Sequence, residues 1–258
     1  NFLRDWMVRK IGIVSAKGGV GKTAITLNLA SALMKLNKKV ISLDADIKMS
    51  GLSLQLGMYH FPVTLNDVIK HGTNILDALY IHSHGLRIIP ASLYAQNVSI
   101  SKLDKHLNNP AFKDNIIMID SPPGLDPNAM QIPKICDEII LVTIPEIPSV
   151  VNLLKNINEA HKRNCKIRGI IVNRYRKKCK EQIRPDEIES VCGIPVLGVI
   201  PEDKNITKSI FRRIPAYFLD SYSSSSIEFD KIAASIAGVQ YVKPKNLTLK
   251  RMIRRLRI

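Results

Sequence analysis

Ser15-Ala16-Lys17-Gly18-Gly19-Val20-Gly21-Lys22-Thr23 stands between the apolar run 11–14 and a stretch of helical periodicity at 22–36. A short β-branched run, then glycines, then a helix makes a strand–loop–helix unit. Its glycines let backbone N–H groups converge on an anion at the positive end of the helix. In such a loop Lys22 reaches the β- and γ-phosphates of a nucleotide and Thr23 offers a hydroxyl to Mg²⁺. The general phosphate-loop pattern asks for glycine where Ala16 stands, so the strict pattern fails by one residue.

Outward from this loop, the runs 40–43, 116–119, 139–144, 167–172 and 196–200 are short, continuous and β-branched like 11–14. Strands buried on both faces of a parallel sheet read this way. A weaker run at 86–89 brings the expected number to about seven strands. Helix-period segments at 22–36, 150–161, 185–192 and 226–237 alternate with them. The pattern predicts an α/β fold with a doubly wound, mostly parallel sheet. No internal repeat is visible. The serine run 223–226 reads as the cap of the helix behind it, with Glu228 in the first turn. Within the 258 residues we expect one domain over 7–239, a linker over 240–246 containing Pro244, and a separate terminal segment over 247–258.

Hydrophobic residues make up 45% of the chain and charged residues 23%, which excludes a disordered or fibrous class. The formal net charge of +16 predicts attraction to a polyanion: nucleic acid, an anionic membrane surface or phosphate-rich ligands. Cys136, Cys165, Cys179 and Cys192 form no C-x-x-C pair, so reduced thiols in the cytoplasm are expected. No apolar run approaches the roughly 18 residues of a membrane span, and the N-terminal residues lack the order of a signal peptide.

The segment 17–23 matches the deviant Walker A motif, and from about residue 10 to 238 the chain resembles the MinD/ParA family of ATPases, MinD-type members most closely. The resemblance implies ATP and Mg²⁺ as cofactors, with Gly18, Gly19, Val20, Gly21, Lys22, Thr23 and Ala24 at the phosphates. Ala24 departs from the hydroxyl residue that many members carry, which leaves only its backbone N–H for the α-phosphate. Lys17 would cross a dimer interface to the partner's nucleotide; a second cation against the γ-phosphate, supplied in trans, ties hydrolysis to dimerisation. Asp44 and Asp46 end the second strand, where ligands bind in open α/β sheets. By resemblance they begin switch I, with Asp46 positioning the attacking water and contributing to the metal site while Asp44 supports it. Capping of the next helix is the other role open to either residue.

Asp120 follows the strand 116–119 and precedes Ser121-Pro122-Pro123-Gly124, a Walker B aspartate joined to switch II. It would hold Mg²⁺ together with Thr23, while Pro122 and Gly124 shape a turn whose Gly124 amide senses the γ-phosphate. Asn173 and Arg174 match the position that contacts adenine, and an amide can both donate to and accept from a purine edge. Pro201, Glu202 and Asp203 match the loop that closes over the base through backbone groups. Glu146 and Asn152 fall at the implied dimer face, Asn152 standing where aspartate is frequent in division-site members.

At 100° per residue, Leu249, Met252, Ile253 and Leu256 share one stripe, with Lys250, Arg251, Arg254 and Arg255 around the rest. This predicts an amphipathic membrane-targeting helix of the MinD kind, without aromatic anchors. Packing on the chain's own domain and contact with nucleic acid are the other readings open to it. The expected function is an ATPase switch that dimerises on ATP, binds the inner face of the cell membrane through two weak tails and leaves on hydrolysis. It would thereby position division or other machinery through an activator or cargo protein. The alternative is a ParA-like partition ATPase on nonspecific DNA, with Arg174, Arg176, Lys177, Lys178 and Lys180 as phosphate contacts.

Overall fold

β1 (Arg9–Val14) is a six-residue run with isoleucine at 11 and 13, and it lies at the middle of the sheet because hydrophobic side chains cover it from both sides. The computed structural model describes residues 8–94, 98–124, 126–244 and 246–247. The remaining strands are β2 (Lys39–Asp44), β3 (Tyr80–Ile81), β4 (Arg87–Ile89), β5 (Asn115–Asp120), β6 (Glu138–Thr143), β7 (Lys166–Tyr175) and β8 (Val196–Pro201). The helices are α1 (Lys22–Lys35), α2 (Gly51–Leu56), α3 (Leu65–His71), α4 (Leu103–Leu107), α5 (Ile132–Ile135), α6 (Ile147–Lys162), α7 (Pro185–Cys192), α8 (Lys204–Arg212), α9 (Ala216–Leu219) and α10 (Ser224–Ala237).

The strand order is β3-β4-β2-β5-β1-β6-β7-β8, and every neighbouring pair is parallel except β3 with β4. Because a strand's side chains alternate between faces, each central strand feeds two cores. Ile117 and Ile119 of β5 pack with α3 to α7, whereas Ile116 and Met118 pack with α1, α2, α9 and α10. The chain leaves β1 on the β2 side and later crosses from β5 to β6 on the other. The carboxyl end of β1 is therefore a topological switch point, the place where such sheets bind ligands.

The expected doubly wound sheet is present, with eight strands where about seven were expected. The extra strand, β3, is two residues long and antiparallel at an edge, too short to leave a pattern. α6 starts at Ile147, three residues before the apolar periodicity, because Pro148 fits a first turn whose N–H groups have no acceptor within the helix. Ser223, rather than the whole serine run, caps α10: its hydroxyl accepts from the Ser226 N–H at 3.1 Å, so Glu228 lies beyond the first turn. α10 closes on Gly238 in a left-handed conformation. The amphipathic stripe Leu249, Met252, Ile253 and Leu256 and its basic flanks lie outside the described residues. Among the described residues no helix is long and apolar enough to cross a membrane.

At the far end of the sheet, buried Glu138 of β6 pairs with Arg9 of β1 and with Arg168 of β7, the latter at 3.2 Å. Burial alone would raise its carboxyl, yet the two guanidinium groups hold it below the usual range. A depressed acid stabilises the fold above its unfolded pKa and loses that contribution as pH falls through the folded value. Glu138→Ala strands two arginines and is expected to cost about 3 kcal/mol at neutral pH. In urea unfolding the deficit should shrink as pH is lowered below about 4.

Candidate functional site

The loop after β1 is bent by Gly19 and Gly21, whose φ values of +76° and +96° suit glycine alone. Gly21 caps α1, and a Cβ there would come within 2.4 Å of Asn173 Nδ2. Glycine is therefore required at 21 twice over, once for conformation and once for space. Asn173, at the buried end of β7, donates through Nδ2 to the Val20 carbonyl at 2.7 Å and braces the loop from a distant part of the chain.

The two loop lysines have separate fates. Lys22 is buried, its side chain donating to Ser15 Oγ at 3.0 Å, and Ser15 Oγ donates in turn to the Lys17 carbonyl at 2.8 Å. Burial holds the Lys22 ammonium below its usual range, although Asp120 and Asp46 pull it up. The Lys17 side chain is 49% exposed and, among the described residues, pairs with Glu146, also on the surface, at 3.6 Å. Lys17 and Glu146, both expected at a dimer face, meet within one chain.

Thr23 Oγ1 donates to Asp120 Oδ2 at 2.6 Å, while the buried Asp120 Oδ1 has no hydrogen-bond partner among the described residues. Burial lifts the Asp120 carboxyl to about 6; Asp46 adds to the rise, and Thr23 and Lys22 oppose it. A hydroxyl and an unshared carboxylate oxygen beside a phosphate loop are the donors Mg²⁺ takes from proteins, which leave its other positions to phosphates and water. No cluster of three or more His, Cys, Asp or Glu able to hold a metal is found among the described residues. The site thus fits a cation shared with a phosphate, not a protein cage.

Of the two carboxylates that end β2, Asp44 is the cap. It is fully buried, its Oδ1 accepting from the Asp46 N–H at 3.1 Å and its Oδ2 from Ser50 Oγ at 2.9 Å and the Leu52 N–H at 3.0 Å in the first turn of α2. Burial and neighbouring Asp120 push its carboxyl well up. Asp46 is half-buried near Lys22 and Asp126, accepting from the Met49 N–H at 3.3 Å. Its carboxyl is raised by burial against the pull of the Lys48 and Met49 amides. The adjoining Gly51 lies so close that a Cβ would meet Thr23 Oγ1 at 2.9 Å. Lys48 bridges to Asp126 at 2.6 Å, which joins this loop to the one after Asp120. In that second loop the Gly124 N–H, expected to face a γ-phosphate, donates instead to the Ser15 carbonyl at 3.2 Å.

A cavity of about 270 Å³ adjoins the loop and gathers Gly21, Ala24, Asn173, Arg174, Pro201, Glu202 and Asp203. The expected base contacts are thereby brought together, with two changes of role. The Glu202 N–H is taken by the Tyr175 carbonyl at 3.0 Å, and the Asp203 side chain caps α8 by accepting from the Asn205 N–H at 2.8 Å. Four lining residues escaped the sequence reading: Gln55 of α2 and Ile206, Thr207 and Ile210 of α8. Ile206 and Ile210 stand four apart behind an aspartate cap, the signal of a short amphipathic helix that could have revealed them. On α6, Ile147, Val151 and Leu154 are exposed along one side, with Asn152 half-buried beside them.

Residues 11–216 match the model of the CobQ/CobB/MinD/ParA nucleotide binding domain. An ATP-binding protein of Methanocaldococcus jannaschii is 36% identical over 238 residues, which cover 91% of this chain and 90% of that one. The solved septum site-determining protein MinD of Pyrococcus horikoshii, complexed with Mg-ADP, superimposes with a TM-score of 0.81 at 34% identity, covering 89% of this chain and 96% of that chain. The cell division ATPase MinD of Pyrococcus furiosus gives a TM-score of 0.82 at 35% identity, with 90% of this chain and 99% of that chain covered.

The steric limit at residue 21 is directly testable. Gly21→Ala should weaken binding of a fluorescent ATP analogue by at least about tenfold, since it meets both a strained φ and a clash. Adding Asn173→Ala relieves the clash but also removes the bond that braces Val20, so in titration the double variant should bind no more tightly than Asn173→Ala alone.

Proposed function

We propose, from the premise that this chain belongs to the MinD/ParA family of nucleotide-binding domains, that it is an ATPase switch whose hydrolysis is completed by a second copy of itself. The observation that carries the proposal is the division of labour between the loop lysines. Lys22 is committed to the interior of its own loop; Lys17 stands at the rim on one long, solvent-exposed ion pair. Such a pair contributes at most about 1 kcal/mol, so Lys17 is available to another molecule at little cost.

In this reading the loop amides and Lys22 bind the β- and γ-phosphates, and the cavity walled by Ile206 and Ile210 takes the base. Thr23 and Asp120 hold Mg²⁺, which when bound neutralises charge on the phosphate oxygens. Asp46, near Lys22 and partly open to water, orients the attacking water. The partner's Lys17 stabilises charge developing on the γ-phosphate. Glu146 and the exposed α6 residues Ile147, Val151 and Leu154 form the face where copies meet, with Asn152 beside them. ATP as the nucleotide is supported by the ATP-binding relative and by the Mg-ADP complex of a MinD of the same fold.

The terminal segment 247–258 then serves as a membrane anchor. A single tail binds weakly, while two on one dimer gain about 10² to 10⁴ in avidity, so that nucleotide state governs residence on an anionic bilayer. An activator or cargo protein would set the timing and the purpose.

Lys17→Ala should keep ATP affinity within about threefold yet lose about 10²-fold in turnover, together with the dimer seen by light scattering in AMP-PNP·Mg²⁺. A variant that dimerises and hydrolyses normally would remove the shared-site mechanism. For the anchor, sedimentation with anionic liposomes should be strong in ATP and weak in ADP; equal pelleting in both states would sink it. Salt-sensitive, ATP-dependent shifting of nonspecific DNA by a chain ending at Gly238 would favour the partition role instead.

A further inference from the structure

Asn156 of α6 is 5% exposed, yet neither its Oδ1 nor its Nδ2 has a hydrogen-bond partner among the described residues. Its helix neighbours Leu153, Ile157 and Ala160 are ordinary core residues, so an apolar side chain would be expected in its place. A bare amide in such a site is expensive, because both of its polar atoms give up water and receive nothing in return. Buried groups of this kind ask for a reason, and the surroundings of Asn156 supply one.

The side chain lines a small cavity, of about 10 Å³, together with Gly124, Met130 and Pro133. Those three residues belong to the loop that follows the metal-site aspartate and to its continuation into α5. Gly124, at φ +71°, ties that loop to the phosphate loop through one hydrogen bond to the Ser15 carbonyl. The cavity is thus bordered by the loop after Asp120, whose Gly124 is tied to the phosphate loop by one hydrogen bond, and by an amide with no partner among the described residues.

We infer that Asn156 is a positioning residue for switch II: it is left unsatisfied in the present arrangement and receives the loop's backbone when Gly124 releases Ser15 to meet a γ-phosphate. The inference rests on the nucleotide-switch part of the proposed function and is independent of dimerisation. Asn156 discriminates triphosphate from diphosphate without touching either, because only the triphosphate gives the Gly124 amide a new acceptor. It also carries the change into α6, the helix that bears Glu146 at its start and the exposed residues Ile147, Val151 and Leu154 on its outer side.

Asn156→Leu, close in volume, removes both unsatisfied atoms. Without nucleotide the variant should melt above the wild type. By calorimetry its affinity for AMP-PNP·Mg²⁺ should fall about tenfold, while that for ADP·Mg²⁺ stays within about twofold. Protection of the amides of Ser121, Gly124, Asp126, Asn128, Ala129, Met130 and Gln131 from hydrogen exchange, gained by the wild type with AMP-PNP·Mg²⁺, should be lost. If Asn156→Leu does not fold, Asn156→Ala carries the same test through the ratio of the two affinities. Melting below the wild type with both affinities falling in step would mean that an ordered water satisfies the amide at rest, which overturns the inference. So would an unchanged triphosphate affinity and protection pattern. Wild-type protein that binds neither nucleotide would overturn the nucleotide reading and this inference with it, whereas a chain that binds both but stays monomeric would leave the inference standing.

Discussion

The hydrogen bond from Thr23 to Asp120 joins the first turn of α1 to the end of β5, and the charge pattern of the site is organised around it. Asp44 and Asp120 are opposite each other in the β2–β5 register, both buried, with Asp46 two residues on. Against these three carboxylates the interior supplies one ammonium, that of Lys22. Buried acids without enough countercharge resist ionisation, and the raised carboxyls of Asp44, Asp46 and Asp120 all express that deficit. A divalent cation next to Asp120 would remove the deficit and at the same time create an attractive place for phosphate oxygens. On the proposed function, nucleotide and metal would therefore bind cooperatively, each correcting an electrostatic imbalance that the other would leave.

Around this centre the neighbouring loops are attached lightly. Gly124 is tied to Ser15 by one hydrogen bond, Lys48 to Asp126 by an ion pair whose lysine is mostly exposed, and Lys17 to Glu146 by a longer pair in solvent. Exposed pairs contribute about 0–1 kcal/mol each, so the loops can exchange these contacts for contacts with a phosphate without disturbing the cores on either side of the sheet. The contrast with the Arg9–Glu138–Arg168 cluster is instructive. At the amino end of the sheet a buried carboxylate is held by two guanidinium groups, as a fixed structural element requires. At the carboxyl end the Lys17–Glu146 and Lys48–Asp126 pairs have exposed lysines, while Lys22, Asp44 and Asp120 beside them are buried.

Most of this site was legible in the sequence because its parts obey local rules. Gly19 and Gly21 occupy φ values that a side chain strains, and Asp44 and Asp120 fall at strand ends that apolar runs announce. What could not be read were contacts made by distant segments. Asn173 braces Val20 across 153 positions of sequence, so an amide expected only at a base also supports the phosphate loop. The Glu202 amide is consumed by Tyr175 because β8 lies beside β7, a fact of topology and not of motif. The apolar wall from α8 was missed although Ile206 and Ile210 stand one turn apart behind the Asp203 cap, because the helix is only nine residues long and its apolar stripe short. Asn156 has no sequence signature at all; its interest lies wholly in what fails to contact it.

The bulk charge of +16 has more than one source, and the sources do different work. Arg174, Arg176, Lys177, Lys178 and Lys180 follow β7, and Lys204, Lys208, Arg212 and Arg213 lie on or just after α8. Of these, Arg174 lines the cavity, beside Ile206 and Ile210 of α8, and Arg176 pairs with the lining residue Glu202 at 3.9 Å. Positive charge around the mouth of a cleft concentrates anions there, and a nucleoside triphosphate is itself a polyanion. On the proposed function, part of the net charge would thus serve the nucleotide. The terminal segment differs in kind, because its basic residues surround an aliphatic stripe at helical spacing, which a phosphate backbone would not use and a bilayer interface would. The membrane assignment therefore depends on the placement of Leu249, Met252, Ile253 and Leu256, and the surrounding charge strengthens it only in their company.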